Sequence, residues 1–236
     1  MDKTILVTGA GRGLGYNVVL QHLKMKDKIY ALDYQLTDDL KQLADTSENL
    51  KIYNCDVSST QSVLDAVQDV LTAGKQLDIV YNVAGIYRFE DKVSLSETDL
   101  DTFMQMYNIN AVGALRICKA VWPLLQKGSL VVNISSEAGS IAGSRRKQEY
   151  SYCISKAALN MGTKILSNEL WGRSARIINI HPGWLRTVMG GQEAFKSKNS
   201  VSPEESAMNI VNIALNIDKI PRDQMYMQHT GEILPW

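Results

Sequence analysis

The sequence feature that most constrains the fold is a regular alternation of short apolar runs with segments of helical pattern. The runs are rich in β-branched residues and are apolar on both sides, which is typical of strands buried on both faces of a parallel sheet. They cover residues 4–8, 28–33, 50–56, 77–83, 129–135 and 175–181, and the helical segments cover 14–26, 38–45, 60–73, 95–107, 111–125, 152–172 and 203–217. This order predicts an α/β fold, a doubly wound parallel sheet with helices on both faces.

The bulk properties favour a single domain that binds small molecules. No linker, repeat or low-complexity block interrupts the 236 residues, and a stretch rich in Gly, Lys and Ser at 187–201 is the expected substrate loop. Lys+Arg and Asp+Glu both number 25, so no basic field favours nucleic acid or an anionic membrane as a partner. No apolar run approaches the ~20 residues that a membrane-spanning helix needs.

The cysteines indicate a reducing compartment and no metal. Cys55, Cys118 and Cys153 are far apart and include no CxxC pair. An odd, scattered set argues against a disulfide framework and against a thiolate zinc site. We therefore expect reduced thiols, no metal site and a cytoplasmic location.

A glycine-rich turn follows the first predicted strand and opens the first helix. Its sequence, at residues 8–15, is TGAGRGLG. Glycines allow a tight turn and a close approach of backbone to a pyrophosphate, which the free N–H groups of the helix N-terminus then attract. The turn predicts a Rossmann-type dinucleotide site, with a plain strand–helix turn as the alternative. Its residues are Thr8, Gly9, Gly11, Arg12, Gly13, Leu14 and Gly15.

The second predicted strand ends on an acidic residue that bears on the choice of cofactor. Asp33 stands eighteen residues beyond Gly15, where a carboxylate accepts hydrogen bonds from the adenosine ribose hydroxyls. The same carboxylate repels the additional phosphate of NADP. Arg12 acts in the other direction, because a guanidinium pairs with phosphate. NAD(H) is therefore the preferred cofactor on Asp33, and NADP(H) stays open.

Further motifs occur in an order that resembles the short-chain dehydrogenase/reductase family over essentially the whole chain. They are DV at 56–57, NVAG at 82–85, NAVG at 110–113, NISS at 133–136, YCISK at 152–156, and HPG at 181–183 with Thr187 after it. The NVAG segment departs from the family's Asn-Asn-Ala-Gly at Val83. The segments 150–161, 182–191 and 231–236 also resemble a narrower branch, the C-factor-like and sniffer-type carbonyl reductases.

The resemblance implies a role for each matching residue. The implied catalytic residues are Asn110, Ser136, Tyr152 and Lys156, and Asn110 would hold a water that links Lys156 to solvent. The implied cofactor contacts beyond the glycine turn and Asp33 are Asp56 and Val57 at the adenine, Asn82, Ala84 and Gly85 after the fourth strand, Pro182, Gly183 and Thr187 over the nicotinamide, and Tyr152 and Lys156 themselves.

Elementary chemistry supports this catalytic set. Reduction of a carbonyl requires a hydride, which nicotinamide carries, and a proton, which the protein must supply. A free tyrosine, with a pKa of ~10, is a poor base, but a nearby cation lowers that pKa. Lys156 follows Tyr152 by four residues, so the two share one helix face. Ser136 is then available to donate a hydrogen bond to the substrate oxygen as its charge develops.

Neighbouring residues leave alternatives open at three of these positions. Tyr150 is a second phenol, although no lysine stands four residues beyond it. Ser135 competes with Ser136, because the end of the strand is uncertain by about one residue. Asn108 likewise competes with Asn110 as the active-site asparagine.

The sequence therefore predicts an NAD(P)(H)-dependent oxidoreductase that acts on a small carbonyl or secondary alcohol, with Tyr152 as acid/base. A cofactor-binding regulatory or signalling protein with little turnover is the alternative. Apolar residues on the helices 111–125 and 152–172 further predict that copies of the chain pair, as a homodimer or homotetramer. These residues are Val112, Leu115, Val121, Ala158, Met161 and Ile165.

Overall fold

The computed structural model describes residues 2–236, and within them it has one sheet of seven parallel strands. The strands are β1 Thr4–Thr8, β2 Lys28–Asp33, β3 Leu50–Asn54, β4 Ile79–Asn82, β5 Leu130–Ile134, β6 Arg176–His181 and β7 Tyr226–Gln228. They lie in the order β3-β2-β1-β4-β5-β6-β7, so the order reverses between β1 and β4. In open parallel sheets, ligands bind at the carboxyl ends of the strands on either side of such a reversal.

Helices cover both faces of the sheet, as expected for a doubly wound fold. They are α1 Gly13–Lys24, α2 Asp38–Asp45, α3 Thr60–Ala73, α4 Phe103–Tyr107, α5 Gly113–Ala120, α6 Tyr150–Trp171, α7 Gln192–Lys196 and α8 Pro203–Leu215. Ile5 of β1 packs in one apolar core with Val18 of α1 and Ile210 of α8. Leu6, which points to the opposite face, packs in a second core with Ile117 of α5. The predicted Rossmann-type architecture is confirmed.

The helix predicted over 95–107 is wrong for most of its length. Two 3₁₀ turns, Leu95–Glu97 and Leu100–Thr102, precede the short helix α4. The Thr98 hydroxyl donates to the carbonyl of Ser94 (2.8 Å), and the Asp99 carboxylate accepts from the N–H of Asp101 (3.1 Å). Side chains that bond to nearby backbone in this way compete with helical hydrogen bonds.

The helix predicted over 111–125 is also divided. A π-helical turn at Asn108–Val112 precedes α5, and a 3₁₀ turn at Trp122–Leu124 follows it. Val121, expected on a pairing face, is instead fully buried in the core beneath the sheet. Leu115, Met161 and Ile165 do remain exposed on the outer face of α5 and α6.

Two elements at the carboxyl half were not predicted. The expected loop 187–201 contains the helix α7, and a β-bridge between Leu185 and Val201 joins its ends. The three-residue strand β7 adds an edge to the sheet beside β6. Within residues 2–236 no helix combines the length and the apolar character that crossing a bilayer requires.

A row of amides crosses three neighbouring strands beneath α6. Asn82, Asn133 and Asn179 occupy the same register on β4, β5 and β6. Asn82 donates to Asn133 and Asn133 donates to the Thr163 hydroxyl, each at 2.8 Å. Asn179 lies 2.8 Å from that hydroxyl and donates to Asn160 at 2.8 Å. Because Thr163 and Asn160 belong to α6, this amide row ties that helix to the sheet.

Candidate active site

The glycine-rich turn forms a cradle that only glycine fits at two positions. Gly9 has a φ of +66°, and a Cβ there would lie 2.8 Å from the backbone nitrogen of Ala84. A Cβ at Gly15 would lie 2.1 Å from the carbonyl oxygen of Gly9. The Thr8 hydroxyl oxygen accepts from the N–H groups of Val83 and Ala84 at 3.1 and 3.2 Å. These contacts bring the turn after β1 against the loop after β4.

The start of α1 is suited to bind phosphate. Arg12 precedes the helix in an extended conformation, no side chain caps the helix, and its first turn contains no acidic residue. The first N–H groups of such a helix are free to bind an anion, and its dipole favours negative charge. Thr187 closes the other side, since its Cγ2 lies 3.4 Å from the position of a Cβ on Gly13. The residues present therefore fit a dinucleotide pyrophosphate.

Asp33 lies beside this turn at the end of β2. Its Oδ2 accepts from the N–H of Gly11 at 2.7 Å, and its Oδ1 accepts from the N–H of Gln35 at 2.9 Å. The Thr37 hydroxyl fixes the other side of the turn by donating to the carbonyl of Gly11 (2.8 Å). The carboxylate thus stands where the ribose contact is expected, while Arg12 is exposed to solvent.

The other predicted cofactor residues also follow strand ends at the same edge of the sheet. Asp56 and Val57 follow β3, Ala84 and Gly85 follow Asn82 of β4, and Pro182 and Gly183 follow β6. The Val57 side chain is buried against Gly113 of α5. A Cβ on Gly85 would lie 3.8 Å from Nζ of Lys156, so this loop borders Lys156.

Tyr152 and Lys156 lie on the first two turns of α6. The buried Lys156 ammonium is 5.8 Å from the centre of the Tyr152 ring and donates to the carbonyl of Ile134 at 2.8 Å. Burial lowers the pKa of Lys156 to about 8. Burial also raises the pKa of Tyr152 to about 12, although a hydrogen bond from Ser136 acts in the opposite direction. A neutral phenol therefore lies close to an ammonium group at neutral pH.

The structure separates the neighbouring serines. The Ser135 hydroxyl donates to Asn160 at 2.7 Å in the protein interior. Ser136, in contrast, lies near the phenol of Tyr152 and acts to lower its pKa. Ser136 is therefore the serine that the fold brings to the tyrosine.

The structure also distinguishes the two neighbouring asparagines, Asn108 and Asn110. Asn108 bonds to Arg116 on α5, away from the tyrosine. Asn110 exchanges two hydrogen bonds with the backbone of Ile86 (2.8 and 2.9 Å) and donates to the Ser155 hydroxyl (3.1 Å). Asn110 thus clamps the loop after β4 to α6, and its π-helical turn is a distortion that is frequent at functional sites. Its water-holding role stays a prediction.

Comparison with known proteins decides the family. Residues 3–198 match the short chain dehydrogenase family. The chain belongs to the short-chain dehydrogenase/reductase family. It is 32% identical to the 1-hydroxy-2-glutathionyl-2-methyl-3-butene dehydrogenase of Rhodococcus sp. strain AD45, over 99% of this chain and 100% of that protein. It is 35% identical to the C-signal protein of Myxococcus xanthus, over 68% of this chain and 93% of that protein.

Solved structures of carbonyl reductases have the same fold. The NADPH-bound carbonyl reductase from chicken fatty liver has a TM-score of 0.89 and 28% identity, covering 100% of this chain and 99% of that chain. The carbonyl reductase Sniffer of D. melanogaster has a TM-score of 0.87 and 26% identity, with 100% of both chains covered. The predicted kinship with C-factor-like and sniffer-type proteins is confirmed, and the chain is an NAD(P)-dependent oxidoreductase.

This short-chain dehydrogenase/reductase has a charged cluster that the motifs did not predict. Arg146, in the loop before α6, forms ion pairs with both Glu137 and Glu149. Glu149 also accepts a hydrogen bond from the Tyr87 hydroxyl. The ring of Tyr87 packs edge-on against that of Tyr152, with 5.1 Å between the centroids. One sequence signal was the i,i+3 spacing of Arg146 and Glu149 in an irregular loop.

Two cavities open beside these residues. One, of about 500 Å³, is lined by Ser94, Arg146, Lys147, Gln148 and Glu149. The other, of about 490 Å³, is mostly apolar and is lined by Phe89, Thr187, Val188, Gly191, Gln192 and Phe195. The ring centroids of Phe89 and Tyr87 are 4.9 Å apart. Because Tyr87 also packs on Tyr152, these rings link the apolar cavity to Tyr152. Within residues 2–236 no group of three or more His, Cys, Asp or Glu side chains is arranged to hold a metal ion.

Proposed function

We propose that this short-chain dehydrogenase/reductase interconverts a carbonyl compound and a secondary alcohol, with Tyr152 as its acid/base. The main support is the 5.8 Å distance between the buried Lys156 ammonium and the centre of the Tyr152 ring. A protein that only bound dinucleotide would need no phenol beside that lysine. The proposal treats residues 1–236 as a single NAD(P)-binding domain with the segment 187–201 on its substrate side.

The protein's part in the reaction is to move one proton and to stabilise charge on oxygen. A bound nicotinamide supplies the hydride in reduction and accepts it in oxidation. The neutral phenol of Tyr152 donates its proton to the carbonyl oxygen in reduction, and the phenolate takes a proton from the alcohol in oxidation. The Lys156 ammonium stabilises the phenolate. Ser136 donates a hydrogen bond to the substrate oxygen as its charge changes.

The apolar cavity supports a substrate with an apolar or aromatic group next to its reactive carbon. Phe89, Val188 and Phe195 line this cavity, and each is more than half exposed. Burying such surface against a ligand stabilises binding by about 25 cal/mol per Å². Aromatic aldehydes, aryl ketones and diketones are therefore the first compounds to test.

The deciding experiment measures oxidation of NADH and NADPH with a panel of aldehydes, ketones and diketones. The Tyr152→Phe variant is the matched blank, because it keeps the ring and removes only the hydroxyl. We expect at least one compound to be reduced by the unaltered protein and far more slowly by the variant. A panel that gives no turnover although the cofactor binds would contradict the proposal.

For the cofactor, we propose a preference for NAD(H) over NADP(H). The Asp33 carboxylate is held beside the glycine-rich turn by two backbone N–H groups, at 2.7 and 2.9 Å, and in the expected ribose position it repels a 2′-phosphate. The carbonyl reductase from chicken fatty liver, in contrast, was solved with NADPH. Dissociation constants for both cofactors, on the unaltered protein and on Asp33→Asn, test the preference. Tighter binding of NADP(H) by the unaltered protein would contradict it.

A cofactor-binding signalling protein is the second candidate function. The observation that favours it is the similarity to the Myxococcus xanthus protein named C-signal. This candidate predicts tight dinucleotide binding and a Tyr152→Phe variant that keeps its biological effect. The enzyme hypothesis predicts that the same variant loses it.

We also propose that copies of the chain pair through the outer face of α5 and α6. Leu115, Met161 and Ile165 are 39%, 61% and 58% exposed on that face. Light scattering at micromolar concentration should show a dimer or tetramer, and Met161→Glu should dissociate it. A strict monomer would contradict this proposal.

For the location, we propose the cytoplasm. Cys55, Cys118 and Cys153 are all free thiols in the structure, as expected in a reducing compartment. Fractionation of the native host, with detection by antibody, tests the location.

A further inference from the structure

The Ser136 hydroxyl carries one proton, for which the structure shows one acceptor and the proposed reaction adds another. The hydroxyl donates to Oε2 of Glu137 at 2.7 Å. The substrate oxygen is the second acceptor, because it must bind beside Tyr152 to receive the proton of that phenol, and Ser136 lies near the phenol and acts to lower its pKa. Glu137 therefore competes with the substrate oxygen for the serine proton.

The charge on Glu137 decides how strongly it competes, because an ionised carboxylate is a stronger acceptor than a neutral oxygen. Two side chains can balance that charge. Arg146 forms an ion pair with Oε1 of Glu137, and Nδ1 of His181 lies 3.5 Å from Oε2. Burial lowers the pKa of His181. The imidazole is therefore uncharged at neutral pH, and Arg146 is the cation that balances Glu137.

Arg146 is fixed from two sides. Its second partner, Glu149, is a buried carboxylate, 8% exposed, that immediately precedes α6. Glu149 has a φ of +65°, a left-handed conformation that costs a residue with a Cβ free energy and persists only where surrounding contacts hold it. Its contacts are the guanidinium of Arg146 and the hydroxyl of Tyr87, whose ring packs on Tyr152.

We propose that Arg146 is a positioning residue for the reaction: by balancing the charge of Glu137, it leaves the Ser136 hydroxyl free to turn to the substrate oxygen. The inference rests on the proposed role of Tyr152 as acid/base. Arg146 itself neither touches the substrate nor exchanges a proton. It acts through the carboxylate that holds the serine.

The proposed role of Arg146 predicts that the loss of activity in Arg146→Ala depends on pH. The titratable and charged groups around Ser136 and Glu137 are Tyr87, Arg146, Glu149, Tyr152, Cys153, Lys156, His181 and Tyr226. In Arg146→Ala, Glu137 keeps an unbalanced negative charge at neutral and alkaline pH. Protonation of His181 or Glu137 at lower pH removes that imbalance. The defect of the variant should therefore shrink as the pH falls.

The test uses four variants of Arg146 and its partners beside a matched control. Arg146→Ala removes the cation, Arg146→Lys keeps its charge, Glu137→Gln removes the competing charge, and Arg146→Ala/Glu137→Gln removes both. The control is Arg145→Ala, which removes a cation one residue away whose contact is the carbonyl of Ser144 (3.1 Å). Rates of NAD(P)H oxidation are measured from pH 5.5 to pH 9 with the best compound of the carbonyl panel, and thermal unfolding shows that each variant is folded.

We expect Arg146→Ala to lower kcat roughly tenfold or more at pH 8, since a charge-assisted hydrogen bond then holds the serine proton. Arg145→Ala should stay within about threefold of the unaltered protein, the scatter expected of a surface substitution without a specific role. Glu137→Gln and Arg146→Lys should stay in the same range, because the first removes the competing charge and the second keeps the balancing cation. The double variant should recover most of the activity that Arg146→Ala loses. A structural role for Arg146 would not produce that recovery.

Three results would overturn the inference. They are a double variant as slow as Arg146→Ala, an Arg146→Ala variant as fast as Arg145→Ala, and a defect that does not change with pH. Failure of the proposed function is distinguishable from these, because it appears either as no turnover by the unaltered protein or as normal turnover in Tyr152→Phe. An inactive Tyr152→Phe beside a normal Arg146→Ala contradicts the role of Arg146 alone.

Discussion

Tyr81 and Tyr152 both lie inside this protein next to titratable partners, but their surroundings differ in one respect. The Tyr81 hydroxyl is 3.0 Å from Nε2 of His22, and Nδ1 of His22 is 2.7 Å from Asp27. The second oxygen of Asp27 accepts from the backbone N–H of Lys3 at 2.8 Å. All three side chains are buried, and their contacts lie wholly within the protein.

The cluster at Tyr152 is open in comparison. Glu137 and Arg146 are partly exposed, at 45% and 34% of their side chains, and the proton of Ser136 has two candidate acceptors. A closed polar network stabilises one arrangement, whereas an open one lets a ligand replace a partner. The comparison leads us to expect a contribution to stability from the phenol of Tyr81, whereas the phenol of Tyr152 is the one proposed to take part in the chemistry.

The largest effect should come from exchanging the two phenols for phenyl rings and measuring turnover. Tyr152→Phe should lower kcat by ~10²–10⁴-fold, the usual contribution of a positioned acid/base. Tyr81→Phe should leave kcat unchanged, and so should Tyr150→Phe, because that phenol has no lysine on the next turn. An inactive Tyr150→Phe beside an active Tyr152→Phe would contradict the proposal and assign the chemistry to Tyr150.

Lys156→Ala should sharpen the comparison, because its defect should extend to cofactor binding. The ammonium is proposed to serve both the phenolate and the nicotinamide ribose. We expect kcat to fall by about 10² or more and the dissociation constant of the cofactor to rise roughly tenfold, about 1.4 kcal/mol. Fluorescence titration of NADH measures the second effect. Tyr152→Phe is the control and should bind the cofactor normally.

The third test measures stability, where Tyr81→Phe should have the larger effect. Tyr81→Phe leaves Nε2 of His22 without its partner inside the core. We expect the free energy of unfolding to fall by about 1–3 kcal/mol, the cost of an unsatisfied buried polar group. Urea denaturation at pH 7.5 measures it. An equally large loss in Tyr150→Phe would show that the effect is not specific to the closed network.

The smallest effect concerns pH. Burial lowers the pKa of His22, although Asp27 acts against this. The unfolded chain therefore binds a proton at a higher pH than the folded protein does. Stability should be complete above pH ~6.5 and should decrease below it, by at most ~1.4 kcal/mol per pH unit for this one group.

Substitution isolates the contribution of His22. The pKa values of His181 and His229 are also lowered by burial, so the unaltered protein should lose stability in acid through all three. In His22→Gln the dependence of the urea midpoint on pH, between 7.5 and 5.5, should become weaker. An unchanged slope would contradict the assignment.

The sequence predicts the cofactor side of the molecule better than the substrate side. The turn containing Gly9 and Gly15 follows a strand directly, and Lys156 lies one helical turn beyond Tyr152, so local spacing was sufficient in both cases. The cluster of Glu137, Arg146 and Glu149 depends on the path of an irregular loop, which periodicity does not describe. The strand β7 has only three residues and pairs on one side, too little for a recognisable pattern.

The segment 95–107 shows a further limit. Its apolar residues have nearly helical spacing, but its Ser, Thr and Asp side chains bond to their own backbone and end each helical turn early. The assignment of Asn110 over Asn108 likewise required the structure. Both amides lie on the same turn, and only the packing of the loop after β4 shows which one contacts it.

The amide row beneath α6 has a consequence for how the sheet assembles. Side chains on a strand alternate between faces, so a slip of one residue would turn Asn133 to the opposite face and bring an isoleucine or valine in its place. Asn82 would then lose its acceptor on Asn133, and the Thr163 hydroxyl would lose the amide that donates to it, at about 1–3 kcal/mol for each unsatisfied group. The row therefore discriminates against misaligned strand pairings during folding. The helix that carries Tyr152 can dock fully only on a sheet in which β4, β5 and β6 are already in register.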